Sequence, residues 1–116
     1  RAGHPGPIVV DADGAFRHLT GRSFPVGLLP EAEYATEQLA LRPGERLYVY
    51  TDGVTECHRS ETGKQFGEQR LAALLADGTR QCLADAIGRV EHALRSWRMS
   101  GDYDDDITLL ALDWKG

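Results

Sequence analysis

The spacing of apolar residues divides this chain into short strands at its beginning, middle and end, with two helices before the last of them. Pro7 to Val10 forms a brief apolar run, Asp11-Ala12-Asp13-Gly14 supplies left-handed turn conformations, and Ala15 to Leu19 returns, which predicts a β-hairpin. Thr20 to Glu31 is rich in Gly and Pro and predicts a loop, with Phe24, Val26, Leu28 and Leu29 packed beneath it. Tyr34 to Leu41 alternates weakly and ends at Arg42-Pro43-Gly44-Glu45, so Arg46 to Thr51 is expected to return antiparallel to it. The near-continuous apolar run Leu47 to Tyr50 predicts a central strand buried on both faces.

Helical periodicity begins later. Gly67 to Ala76 places Leu71, Leu74 and Leu75 on one face of a first helix. Leu83, Ile87, Val90, Leu94 and Trp97 recur at steps of four, three, four and three, which marks a longer amphipathic helix. Ile107 to Leu112 is the last strand. Strands, then helices, then one strand predict an α+β fold with a mainly antiparallel sheet and two helices packed on one face.

Two acidic turns stand out against this pattern. Asp52 follows the apolar strand that ends at Thr51, and the run Asp102 to Asp106 feeds into the strand that starts at Ile107. If those strands are antiparallel neighbours, the end of one and the start of the other share an edge, and Asp52 and Asp105 face one site. Carboxylates crowded there need a cation between them, and hard divalent ions such as Mg²⁺ and Mn²⁺ take oxygen ligands. Gly53 is expected to let the backbone turn sharply beside the ion. Each motif alone is an ordinary turn; their order and separation give them weight.

Composition narrows the partners. At 116 residues the chain holds one domain or less, and a formal charge of −5 without a Lys/Arg cluster argues against nucleic acid or an anionic membrane. No apolar run approaches the roughly 20 residues that span a bilayer. Cys57 and Cys82 form no disulfide framework, and with His58 and His92 they fit no zinc-site spacing, so they are expected to be reduced thiols of a cytoplasmic protein.

Five blocks in series resemble a known family: Ala2-Gly3-His4-Pro5, Pro25-Val26-Gly27-Leu28, Leu47 through Glu56, Phe66-Gly67 with Arg70-Leu71, and Asp105-Asp106-Ile107-Thr108-Leu109-Leu110. They look like the blocks of the SpoIIE/RsbU-type PPM phosphatases, bacterial metal-dependent serine/threonine protein phosphatases related to protein phosphatase 2C. The resemblance implies the C-terminal portion of an α-β-β-α sandwich. It assigns Asp52 and Asp105 as ligands of a site for two Mn²⁺ or Mg²⁺ ions. Gly53, Asp106 and His4 become supporting or structural neighbours, and Thr55 and Glu56 are structural in the same sense. Hydrolysis is by metal-activated water, with no phosphoenzyme and no use of Cys57 as a nucleophile. The implied substrate is a phosphorylated protein, an anti-anti-sigma factor in sigma-factor regulation.

The resemblance also has a gap. Family domains carry a Gly-Asp-x-x-Gly-His block upstream that supplies further ligands, and residues 1–116 do not contain it. The chain is therefore expected to be the C-terminal half of such a domain, inactive or weak alone, with an unpaired sheet edge or bare apolar face that permits self-association. The alternative is a degenerate, non-catalytic interaction module. A calcium-binding β-rich domain is a third reading, and the absence of EF-hand spacing counts against it.

Overall fold

Short runs of β-branched and aromatic residues build one antiparallel sheet. Its strands are β1 (Ile8–Val10), β2 (Phe16–His18), β3 (Arg46–Tyr50) and β4 (Leu109–Asp113), in the spatial order β2-β1-β3-β4. The structure is a computed structural model that describes residues 5–19, 29–31, 33, 36, 38–103 and 106–116. The expected hairpin of β1 and β2 is present. Asp11 closes it, because its Oδ1 accepts from the backbone N–H of Asp13 at 2.9 Å and of Ala15 at 3.0 Å.

The second expected hairpin is not. Residues 36 and 38–41 lie outside any strand, while Tyr34, Ala35 and Glu37 fall outside the described residues. The Arg42–Glu45 turn itself exists, with Glu45 N–H donating to the Arg42 carbonyl at 3.0 Å. It leads into a strand that pairs with β1 and β4 instead of with its neighbour in sequence. With β1 on one edge and β4 on the other, Tyr48 lying between Ile8 and Ala111, β3 has no free edge for the stretch 34–41 to join.

Three helices follow: α1 (Asp52–Thr55), α2 (Glu68–Asp77) and α3 (Leu83–Arg98). The two longer ones cover one face of the sheet, α2 against β1 and α3 against β4. Between helices and sheet lie Ile8, Val10, Tyr48, Tyr50, Val54, Phe66, Leu71, Ala72, Leu75, Val90 and Leu94. Within α2 the buried stripe is Leu71, Ala72 and Leu75, and Leu74 sits at its margin.

Burial of β3 corrects the expectation drawn from its composition. Tyr48 and Tyr50 are buried, but Val49 between them is 42% exposed, and Leu110 and Leu112 on the same face of β4 are exposed too. No helix covers that face among the described residues, so β3 is central in the sheet yet buried on one side. Leu29, expected beneath a loop, is exposed; Phe24, Val26 and Leu28 lie outside the described residues.

An ion pair between a buried guanidinium and a partly exposed carboxylate fixes the far end of the β3–β4 ladder. Arg46, 5% exposed, donates from Nη2 to Asp113 Oδ2 at 3.1 Å and to the Gln81 carbonyl at 2.7 Å. Its hydrogen bonds to Asp113 raise the guanidinium pKa above its ordinary value, against the opposing effect of burial. Removing one partner of such a pair leaves an uncompensated charge. Asp113→Ala is expected to destabilise the fold by about 3 kcal/mol in urea unfolding, whereas the joint change Arg46→Met with Asp113→Leu costs less than Asp113→Ala alone.

Candidate functional site

The other end of the β3–β4 ladder carries the acidic turns. Beyond Tyr50↔Leu109 the ladder continues through Thr51, whose backbone N–H donates to the Thr108 carbonyl at 3.1 Å. The Thr51 hydroxyl accepts from the Thr108 N–H at 3.1 Å and donates to the Asp106 carbonyl at 3.3 Å. Thr51 is also the N-cap of α1, yet its side chain makes no capping bond to that helix, because the hydroxyl is committed to the opposite segment. Three hydrogen bonds from one residue therefore clamp Thr51-Asp52-Gly53 to Asp106-Ile107-Thr108.

The turn after Thr51 is helical. Val54 N–H donates to the Thr51 carbonyl, Glu56 N–H to the Asp52 carbonyl at 2.8 Å, and the Thr55 hydroxyl to the same carbonyl at 3.3 Å. These bonds hold the Asp52 backbone while its side chain stays exposed. Thr55 is buried, in keeping with a structural role.

Gly53 is required for a different reason from the one expected. Its φ is not positive, so it supplies no special turn. A Cβ built on it would lie 2.2 Å from the Asp106 carbonyl oxygen and 3.0 Å from that carbonyl carbon. Only a residue without a side chain lets the two acidic segments approach this closely.

The β3–β4 pairing expected from the sequence is present and sets Gly53 against the Asp106 backbone, while the partner expected for Asp52 is Asp105. Asp105 and His4 lie outside the described residues. The donors suit a hard divalent ion in kind, being carboxylates on rigid strand ends. In number they fall short: among the described residues no three His, Cys, Asp or Glu side chains cluster as a metal site would need.

A cavity of about 260 Å³ opens beside this edge, with Gly53, Glu56, His58, Gln65, Arg98 and Tyr103 in its wall. Its outer rim is a small hairpin over residues 57–66, closed by Phe66 N–H to the Cys57 carbonyl at 2.8 Å and Arg59 N–H to the Lys64 carbonyl at 2.8 Å. Sequence reasoning missed this hairpin, although Thr62-Gly63 is an adequate turn signal. Burial pushes the Tyr103 phenol pKa up, while the Arg95 guanidinium opposes that shift.

Gly53→Ala tests the close approach. It is expected to cost about 2 kcal/mol by forcing the Asp106 backbone outward. Amide chemical shifts should move at 106–108 as well as around residue 53; shifts confined to α1 would contradict the clamp.

Comparison with known proteins agrees with this geometry. The sequence profile of the Stage II sporulation protein E (SpoIIE) family matches residues 1–115. Protein IcfG of Synechocystis sp. is 31% identical over 111 residues, covering 96% of this chain and 17% of its own length. The SiaA-PP2C domain of Pseudomonas aeruginosa superimposes with a TM-score of 0.83 and 27% identity, over 96% of this chain and 44% of that one. The RsbU and RsbW domains of Rv1364c from Mycobacterium tuberculosis give a TM-score of 0.64 and 30% identity, over 95% of this chain and 30% of that one. The chain spans less than half the length of each of these relatives, of which one solved neighbour is a PP2C domain and the other carries an RsbU and an RsbW domain. By its profile match over residues 1–115 and by its fold, this chain belongs to the SpoIIE family.

Proposed function

We propose that residues 1–116 are the C-terminal, metal-binding part of a PPM-type protein serine/threonine phosphatase domain. Its substrate is a phosphorylated protein, an anti-anti-sigma factor in a cytoplasmic, bacterial regulatory pathway. The observation that carries the reading is the Thr51 clamp, which sets the Asp52 turn against the segment that begins at Asp106. Asp52 and Asp105 would hold Mn²⁺ or Mg²⁺, and Asp106 would stay beside them, its backbone carbonyl engaged by Thr51. A divalent ion held there supplies Lewis acidity that activates water and offsets the charge of a phosphoryl group.

What the chain itself contributes is position. The hydrogen bonds on both sides of Asp52 hold its backbone, so its carboxylate meets an ion without reorganising the loop. Gly53 keeps the opposing segment within reach.

The exposed β3–β4 part of the sheet face, beside the buried Val9 of β1, supports the partial-domain part of the reading. Val49, Leu110 and Leu112 form an apolar surface of the kind that a second sheet covers in a sandwich. The neighbour that pairs an RsbU with an RsbW domain supports a place in sigma-factor regulation. No helix among the described residues is long and apolar enough to cross a membrane.

In the complete protein, Asp52→Asn and Asp105→Asn are each expected to lower Mn²⁺-dependent hydrolysis of a phosphoserine peptide by at least about a hundredfold, and to weaken Mn²⁺ binding in calorimetry. Unchanged rates would remove both from the site. Absence of hydrolysis in the unmutated protein would favour the interaction-module reading. Residues 1–116 alone are expected to show little turnover, since two aspartates leave most of the octahedral positions to water. Fast manganese-dependent hydrolysis by that segment would contradict the partial-site account.

A further inference from the structure

Four arginines of the described structure are paired with carboxylates: Arg17 with Glu45, Arg46 with Asp113, Arg89 with Asp77, and Arg95 with Glu91. Arg59 and Arg70 are held differently. Their guanidinium carbons lie 4.3 Å and 4.4 Å from the ring centroid of Trp97, and neither forms a salt bridge among the described residues. Phe66 closes the indole edge-on, with centroids 5.8 Å apart, and Trp97 Nε1 donates to the Lys64 carbonyl at 2.9 Å. Arg70 spends one nitrogen on the Phe66 carbonyl at 3.0 Å, and Arg59 spends one on the Met99 sulfur at 3.9 Å. A guanidinium stacked on an aromatic face keeps its in-plane donors available, and its planar fork matches a carboxylate.

This stack is joined to the candidate site through the hairpin over 57–66. The hairpin that carries Arg59 is tied to the end of α1 by Gly67 N–H, which donates to the Thr55 carbonyl at 2.9 Å. The 260 Å³ cavity runs between them, from Gly53 to His58, Gln65 and Arg98. Arg98 Nη1 lies 3.3 Å from His58 Nε2 on its wall. Residues 57–70 and 97–101 carry four Lys/Arg against two Glu, in a chain whose net charge is −5. Glu56 and Asp102 stand one residue outside these stretches, so the positive excess is confined to the stack itself.

We propose that the Arg59–Trp97–Arg70 stack is a docking site for an acidic segment of the phosphoprotein substrate, a proposal that rests on the phosphatase reading above. A peptide whose phosphoserine reaches the Asp52 edge passes the hairpin, where two preorganised guanidiniums receive flanking Asp or Glu side chains. Ordering is cheap because the stack already fixes both arginine side chains. A long polyanion such as nucleic acid fits less well, since the overall negative charge repels it beyond this patch.

Fluorescence anisotropy on the complete protein tests this, with EDTA present so that binding is read without turnover. The probes are fluorescein-labelled phosphoserine peptides flanked by Asp/Glu, by Gly/Ser or by Lys. The acidic peptide is expected to bind about tenfold more tightly than the neutral one, with the difference shrinking as salt rises. Arg59→Gln with Arg70→Gln should abolish that preference, and Arg59→Glu with Arg70→Glu should transfer it to the lysine-flanked peptide. Arg80→Gln with Arg89→Gln, which removes the same charge elsewhere, should leave it intact. Circular dichroism melting checks that each variant is folded, and two chemically different pairs keep the test open if one is not. Equal binding of acidic and neutral peptides by the unmutated protein would overturn the proposal. So would a preference that survives both double substitutions of Arg59 and Arg70, or displacement of the peptide by an RNA oligonucleotide more readily than by unlabelled acidic peptide. Mn²⁺-dependent hydrolysis of the same peptides is scored separately. Acidic preference without hydrolysis sinks the phosphatase reading alone, and hydrolysis without acidic preference sinks the docking site alone.

Discussion

Thr51 is the residue on which the candidate site depends. Its backbone extends the β3–β4 ladder by one step, and its hydroxyl both accepts from Thr108 and donates to Asp106. A hydroxyl can serve both directions at once, which is why a single small side chain bridges two segments that are more than fifty residues apart in sequence. The helical turn begins immediately after it and fixes the Asp52 backbone from the other side. Loss of either set of bonds would leave an exposed aspartate on a loop, and exposed aspartates on loops are ordinary.

The two ends of the β3–β4 pair use opposite strategies. At Arg46 and Asp113 a charge pair is drawn into the protein and compensated by a carbonyl, a carboxylate and a neighbouring tyrosine. At the Asp52 end the Asp52 carboxylate stays exposed on a backbone held by hydrogen bonds. The first arrangement holds the register, since slippage by one residue would move Arg46 off Asp113 and turn the buried tyrosines Tyr48 and Tyr50 to the open face. The second leaves charge available for a ligand. Register at one end thus determines that the acidic segments meet at the other.

Much of this was legible in the sequence where local chemistry decides structure. The steps between Leu83 and Trp97 mark α3, and Asp11 with Gly14 marks the first hairpin, because both signals act within a few residues. The meeting of Asp52 with the Asp106 segment required one long-range assumption, that β3 and the last strand are neighbours, and that pairing is present. The assumption that failed was the opposite one, that 34–41 pairs with β3 because it precedes it. Adjacency in the chain does not decide the pairing, because both edges of β3 are taken by strands remote in sequence. Burial of β3 on both faces was inferred from an unbroken apolar run, but composition cannot say which layers are present, and Val49 is open. Gly53 was expected to serve the turn, whereas the atom that a side chain there would meet belongs to a segment far away in the chain. The hairpin over 57–66 and the arginines on Trp97 escaped because their contacts join a loop to the far end of a helix.

The central claim is that the Asp52 turn and the Asp105–Asp106 segment share one divalent cation. Paramagnetic broadening of amide resonances by Mn²⁺, titrated into isotope-labelled protein, measures this directly, because broadening falls off steeply with distance from the ion. The account predicts that amides at 52–54 and at 106–107 broaden together, at the lowest Mn²⁺ concentration, and that Asp52→Asn removes both effects. Broadening of one segment without the other, or broadening that appears first at unrelated surface carboxylates such as Glu61 or Asp77, would contradict it.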